Sequence, residues 1–253
     1  MSDTKPLAGD TVVITGASDG IGAATARHVA AEGANVVLAA RREEKLSDLA
    51  TTIEERTGAE TMVKPTDVSD REAVAELMNA SVEAFGGIDV IVANAGTGPE
   101  PGVDLEDLAL DQYRTVMEVN VDGMFYTAQT GLPHLQASGG TLIFIGSFAG
   151  QYPRPQAPVY AASKWWTRGF ALSLSAAVGT EDVGVSIINP TEVRTSFGKE
   201  FRDEDELLRH QFAPGEVTEP EAIAEAIVFA ASQESPDMVS ELDLYRRDKF
   251  SHF

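Results

Sequence analysis

Short β-branched runs alternate with helix-patterned segments along almost the whole chain, and this alternation limits the fold more than any other feature of the sequence. Strands are predicted over 11–15, 35–40, 61–64, 88–93, 141–145, 184–189 and 238–244. Helices are predicted over 23–31, 42–56, 70–85, 105–119, 158–178 and 219–232, the fourth extending toward Gln129 and Pro133 marking a break. Gly33 and Gly58 stand just beyond the first two helices, as helix stops do. Strands separated by helices pair in parallel through right-handed crossovers, which cover both faces of the sheet. The expected architecture is therefore α/β, a Rossmann-type doubly wound parallel sheet in a single domain over 1–253. One stretch departs from the rhythm. Residues 195–215 mix Phe197, Phe201, Leu207 and Leu208 with a dense charge cluster, as a substrate lid would.

The first strand passes into the first helix through Gly16, Ala17, Ser18, Asp19, Gly20, Ile21 and Gly22. At such a turn, bare amides and the positive end of the helix dipole can face a pyrophosphate, and glycine lets the backbone come close. The spacing is G-x3-G-x-G rather than the G-x-G-x-x-G of the common dinucleotide fingerprint, with the same mechanics. At the end of the second strand, where an adenosine ribose would lie, an acidic residue would select NAD. The chain has Arg41 and Arg42 there, and guanidinium groups suit a 2′-phosphate. The expected cofactor is therefore NADP (NADPH), with Asp19 placing an opposing charge near the phosphates.

Farther on, Tyr160 and Lys164 stand one helical turn apart, with Ser147 thirteen residues before the tyrosine. A cation on the same helix face favours the phenolate and should lower the tyrosine pKa toward neutrality. The pair then offers a general acid/base, and a serine hydroxyl could hold the oxygen being protonated.

Composition narrows the partners. There is no cysteine, which removes disulfides and thiolate chemistry together, and four scattered histidines give no ligand-like spacing, so no metal site is expected. With 40 acidic against 19 basic residues the net charge is −21, which argues against nucleic acid or an anionic membrane as partner. No apolar run approaches the roughly 20 residues of a membrane span. The reading is a cytoplasmic protein acting on a small molecule. Its lysine-poor, acid-rich surface suits a halophilic source, where salt screens self-repulsion.

These motifs together resemble the short-chain dehydrogenase/reductase family over nearly the whole length. In order, the chain carries Thr15 to Gly22, Asp67-Val68, Asn94-Ala95-Gly96, Asn120, Ser147, Tyr160, Lys164 and Asn189-Pro190. The resemblance implies an NADP-dependent oxidoreductase of CH–OH or C=O groups. It implies that Asp67 and Val68 face the adenine, that Asn94, Ala95 and Gly96 steady the sheet beside the cofactor, and that Pro190, Val193 and Thr195 contact the nicotinamide end. It further implies that Tyr160 is the acid/base, that Ser147 positions the substrate oxygen, and that Lys164 binds the nicotinamide ribose. Asn120 would hold a water linking Lys164 to solvent. A homo-oligomer, a dimer or tetramer joined through the helices bearing Asn120 and Tyr160, is also implied. A sugar dehydrogenase sharing the site and a non-catalytic NADP sensor are the alternatives.

Two departures stand out. Thr191 and Glu192 follow Pro190 where glycine is usual, and the stretch from Glu241 to Asp248 lacks the family's glycine-rich segment. The second departure is more similar to the subgroup acting on 3-hydroxy acids or assorted small carbonyls. Gln151, Tyr152 and Arg154, between the serine and the tyrosine, are the expected substrate contacts, Arg154 being able to pair with a carboxylate. Trp165 and Trp166 read as packing residues, and His134 and His210 as surface or capping residues.

Overall fold

The computed structural model describes residues 5–100, 102–195, 197, 212–213 and 215–249. Strands β1 (Thr11–Thr15), β2 (Asn35–Ala40), β3 (Thr61–Pro65), β4 (Val90–Ala93), β5 (Thr141–Ile145), β6 (Gly184–Pro190) and β7 (Glu241–Leu244) form one sheet in the order β3-β2-β1-β4-β5-β6-β7. Every pairing is parallel. The helices are α1 (Gly20–Ala31), α2 (Glu43–Thr57), α3 (Arg71–Phe85), α4 (Leu110–Met117), α5 (Gly123–Ser138), α6 (Pro158–Val178) and α7 (Pro220–Ala231).

Alternation along β1 shows why both faces need helices. Val12 and Ile14 point into one core with α1, α2 and α7, whereas Val13 points into the other with α3, α5 and α6, and all three are fully buried. Burying each such side chain stabilises the fold by about 1.5–3 kcal/mol. Because β1 pairs with β2 on one side and β4 on the other, strand order reverses there, and a crevice opens beyond the carboxyl ends of β1 and β4.

Several boundaries move from their predicted positions. Helix α1 begins at Gly20, three residues early, because Asp19 caps it by accepting from the Gly20 amide at 2.7 Å. Residues 105–109 form turns, leaving Leu105 64% exposed, and α4 begins only at Leu110. Pro133 does not break its helix: α5 runs through to Ser138 and ends at Gly139, whose φ is +71°. Packing explains the survival. Leu135 is fully buried, and a Cβ on Gly131 would collide with Ile91 of β4, so the helix lies hard against the sheet. The predicted lid segment lies outside the described residues apart from Thr195, Phe197, Phe212, Ala213 and Gly215.

Candidate active site

The turn after β1 is built by close approach. Gly16 has φ +67°, and a Cβ there would come within 2.8 Å of Asn94 Nδ2 and 2.9 Å of Ala95 Cα. A Cβ on Gly22 would press on the Gly16 carbonyl oxygen and lie 2.7 Å from Asn94 Nδ2. Asn94 Nδ2 donates to the carbonyls of Thr15 (2.8 Å) and Gly16 (3.3 Å), while Thr15 Oγ1 accepts from the amides of Asn94 (3.0 Å) and Ala95 (3.1 Å). Asn94 and Ala95 therefore lock β4 to β1 under the mouth of α1, while Gly96 lies beside Asn120 and Lys164. Thr195 covers Gly20, whose added Cβ would meet it at 2.8 Å.

Beyond β2, Arg42 donates to Ser18 Oγ through Nε (3.2 Å) and Nη2 (2.8 Å). Asp19 faces both Arg42 (3.8 Å) and Lys45 (3.9 Å), so the negative charge read as weakening an anion site is itself matched by two cations. Lys45 escaped the sequence reading, although its place in the first turn of α2 puts it beside Arg42. Asp67 Oδ1 accepts from the amide (3.0 Å) and hydroxyl (2.7 Å) of Ser69, and Val68 packs beneath Gly123. Arg41, Arg42, Asp67 and Val68 all border the same cleft.

At the other end, Ser147 caps a short 3-10 turn (Phe148–Gly150), its Oγ accepting from the Ala149 amide at 3.1 Å. Its O–H faces Tyr160, with which it forms a hydrogen bond. Lys164 is 3% exposed, donates to the Ile145 carbonyl at 2.8 Å, and stands 6.0 Å from the centre of the Tyr160 ring. Asn120 is fully buried in a π-helical turn (Glu118–Asp122) between α4 and α5. Such turns recur at functional sites. Its Nδ2 donates to the Thr97 carbonyl (2.8 Å) and Ser163 Oγ (3.0 Å), and its Oδ1 accepts from the Thr97 amide (2.8 Å). Only one Oδ1 lone pair is left to take a water.

The expected lowering of the Tyr160 pKa does not appear. Burial pushes the phenol up, and the Ser147 hydroxyl and Arg154 guanidinium pull it only part of the way back. Burial also pushes the Lys164 ammonium down to about 8. The desolvation of the phenol outweighs the groups that would favour its anion. Tyr160 is therefore held in its protonated form.

Sequence reasoning missed the network behind Ser147. The Ser147 amide donates to Asn189 Oδ1 (3.3 Å), and Asn189 Nδ2 donates to Glu241 (2.7 Å) and Asp243 (2.9 Å) of β7. Arg168 clasps Glu241 with two bonds of 2.7 and 2.9 Å, and Gln151 reaches both acids at 2.9 Å and also pairs with the Tyr245 hydroxyl. The signal was present: acids two apart in a strand share a face. Glu192 is half-buried rather than free in solvent. Burial alone would raise its pKa, but Lys249, which donates to both carboxylate oxygens at 2.7 Å, and then Arg154 hold it low. Trp166 stacks on Phe170 at 4.7 Å, and Trp165 is 49% exposed. His134 does not border the cleft, and His210 lies outside the described residues.

The cleft has a volume of about 920 Å³ and runs from Arg41 past the glycine turn to Tyr160. Its dimensions and its backbone cradle, which any Cβ would fill, fit a dinucleotide. Thr191 Oγ1, buried without a partner beside Pro190, leaves one further polar atom at the Tyr160 end. Among the described residues no group of three or more histidines and acids could hold a metal, and no helix is long and apolar enough to cross a membrane.

The family model described as short chain dehydrogenase matches residues 10–206. An uncharacterized oxidoreductase of Staphylococcus aureus is 32% identical over 237 residues, 93% of this chain and 96% of that protein. A glucose 1-dehydrogenase of Gluconobacter oxydans is 33% identical over 90% of this chain and 87% of its own length. Among solved structures, an alcohol dehydrogenase from the archaeon Thermococcus sibiricus, complexed with 5-hydroxy-NADP, superposes with a TM-score of 0.84 at 31% identity, covering 93% of this chain and 95% of its own.

Proposed function

The chain belongs to the short-chain dehydrogenase family of oxidoreductases, and from that premise we propose that it transfers hydride between NADP(H) and a small carbonyl or secondary alcohol, with Tyr160 as general acid/base. The observation carrying this reading is one cleft that joins a phosphate cradle and paired arginines to the hydroxyls of Tyr160 and Ser147.

A bound nicotinamide would supply or accept the hydride. The Gly16–Gly22 turn and the mouth of α1 would hold its pyrophosphate, Arg41 and Arg42 its 2′-phosphate, and Lys164 its nicotinamide ribose, with Pro190, Val193 and Thr195 at the ring end. In reduction, Ser147 Oγ–H holds the substrate oxygen and Tyr160 gives it a proton. The raised phenol pKa suits a donor. Lys164 Nζ and Asn120 Oδ1 both border Gly96, where a Cβ would lie 3.7 and 3.5 Å from them, so a water there could return a proton to the site.

NADPH absorbance followed with aldehydes, ketones, oxo acids and glucose tests the proposal. Tyr160→Phe is expected to lower turnover at least 100-fold while NADPH binding changes little; activity within a few-fold of the parent would refute the assignment. We also propose a homo-oligomer. Leu110, Tyr113, Phe125 and Trp165, on the three helices α4 to α6, are 60, 42, 38 and 49% exposed, and light scattering of the purified protein would detect assembly.

A further inference from the structure

The inference rests on the hydride-transfer reading and names its substrate class. Arg154 borders the same cleft as Ser147 and Tyr160, close enough for its charge to act on the phenol. Its only partner among the described residues is Glu192, reached through Nη1 and Nη2 at a loose 3.4 Å each, both contacts falling on Oε1. A guanidinium carries five N–H donors, so three remain without an acceptor among the described residues. Glu192, by contrast, does not depend on Arg154. Lys249, whose side chain is 14% exposed and whose ammonium lies 4.6 Å from the centre of the Phe148 ring, donates to both of its oxygens at 2.7 Å. The trio carries one net positive charge, and the loosely held member is the one facing the reaction end. Aromatic side chains line the cleft beside Tyr160, the Phe197 ring lying edge-on to it at 5.5 Å and Phe212 also bordering the cleft.

We infer that Arg154 is an anion anchor, so that the preferred substrate is an oxo acid, or in reverse a hydroxy acid, whose carboxylate is bound by the guanidinium while its carbonyl oxygen meets Ser147 and Tyr160. On binding, the substrate carboxylate replaces Glu192 as the principal partner of Arg154, and Lys249 keeps Glu192 paired. A carboxylate matches the planar fork in a way that a hydroxyl or an ester does not. The reaction consumes the carbonyl and leaves the anchoring group unchanged.

The test compares 2-oxo, 3-oxo and 4-oxo acids, each beside its methyl ester, by kcat/KM with NADPH in parent and Arg154→Gln protein. The best acid is expected to exceed its ester about 100-fold in the parent, and that ratio should fall to within about 5-fold of unity in the variant, through KM more than kcat. Arg154→Lys should retain an intermediate ratio. Retention of NADPH binding by fluorescence titration shows that the variant is folded, which is expected because the Arg154 side chain is 37% exposed. A second readout needs no turnover: succinate should compete with the best acid in the parent and lose that competition in Arg154→Gln. Ester and acid equally good in the parent, or a preference that survives in Arg154→Gln, overturns the anchor while leaving hydride transfer standing. Failure to reduce any carbonyl, charged or neutral, with NADPH still bound overturns the reading beneath it as well.

Discussion

Replacing Lys164 by methionine should make the cofactor-free protein more stable at neutral pH and abolish one part of its pH dependence. Lys164 is 3% exposed, and burial pushes its ammonium from 10.5 down to about 8. Its folded value lies below its unfolded one, so the unfolded chain binds more protons between pH 8 and 10.5. The stability that the neutral amine allows is complete above 10.5 and is lost as pH falls through 8. A depression of that size corresponds to about 3 kcal/mol carried as an unfavourable contribution at pH 7. Methionine removes that contribution and also the 2.8 Å bond from the ammonium to the Ile145 carbonyl, a charged-donor bond worth about 1.5–3 kcal/mol. Lys164→Met should therefore gain about 1 kcal/mol at pH 7. Linkage makes the parent recover about 1 kcal/mol by pH 9 and about 2 kcal/mol by pH 10, erasing and then reversing the difference. Urea unfolding of both proteins at pH 7, 8, 9 and 10, without cofactor, measures the gap, and subtraction cancels every group the two share, the raised tyrosines included. A gap that stays constant over this range, or a variant weaker than the parent at pH 7, would refute the reasoning.

Three further expectations follow from the same geometry. Arg42→Gln should weaken NADPH binding by about 10- to 100-fold and NADH binding by much less, while Arg41→Asp should reverse the cofactor preference; titration of both cofactors reads this, and an unchanged ratio removes the 2′-phosphate assignment. Gly22→Ala forces the turn away from Asn94 and the Gly16 carbonyl, so a loss of about 1–3 kcal/mol in stability and at least tenfold in NADPH affinity is expected by denaturation and titration. Because the net charge is −21, stability should climb as salt shortens the screening length from about 10 Å at 0.1 M to about 3 Å at 1 M, and full stability in dilute buffer would remove the halophilic reading.

Much of this was legible because the family motifs sit at strand ends, where period-two apolar runs stop. Gly16, Asn94, Ser147 and Pro190 each follow β1, β4 and β5 or close β6, so locating the strands located the site. Local pattern misled where packing decides. Pro133 reads as a stop in isolation, yet the sheet beneath α5 holds the helix straight through it. The tyrosine's charge state also failed, because spacing reveals that a lysine is near but not that both groups are desolvated. Nor could composition show that Glu192 is gripped by Lys249, 57 residues away. That contact depends on how the stretch after β7 folds back, and no periodicity encodes it.

The hydrogen bond from the Ser147 amide to Asn189 makes the two ends of the cleft depend on different parts of the chain. Residues 11–96 contain every part of the phosphate cradle except its Thr195 cover, all of it early in the chain. The orientation of the Asn189 amide, by contrast, is set by Glu241 and Asp243, so that its oxygen rather than its nitrogen faces the serine. Those acids lie on β7, which follows every other strand along the chain and pairs with β6. The nucleotide end is thus specified by the first part of the chain, and the reaction end by contacts that reach to the last described strand. The edge strand of the sheet therefore acts as a keystone for the serine's backbone, although it does not itself line the cleft.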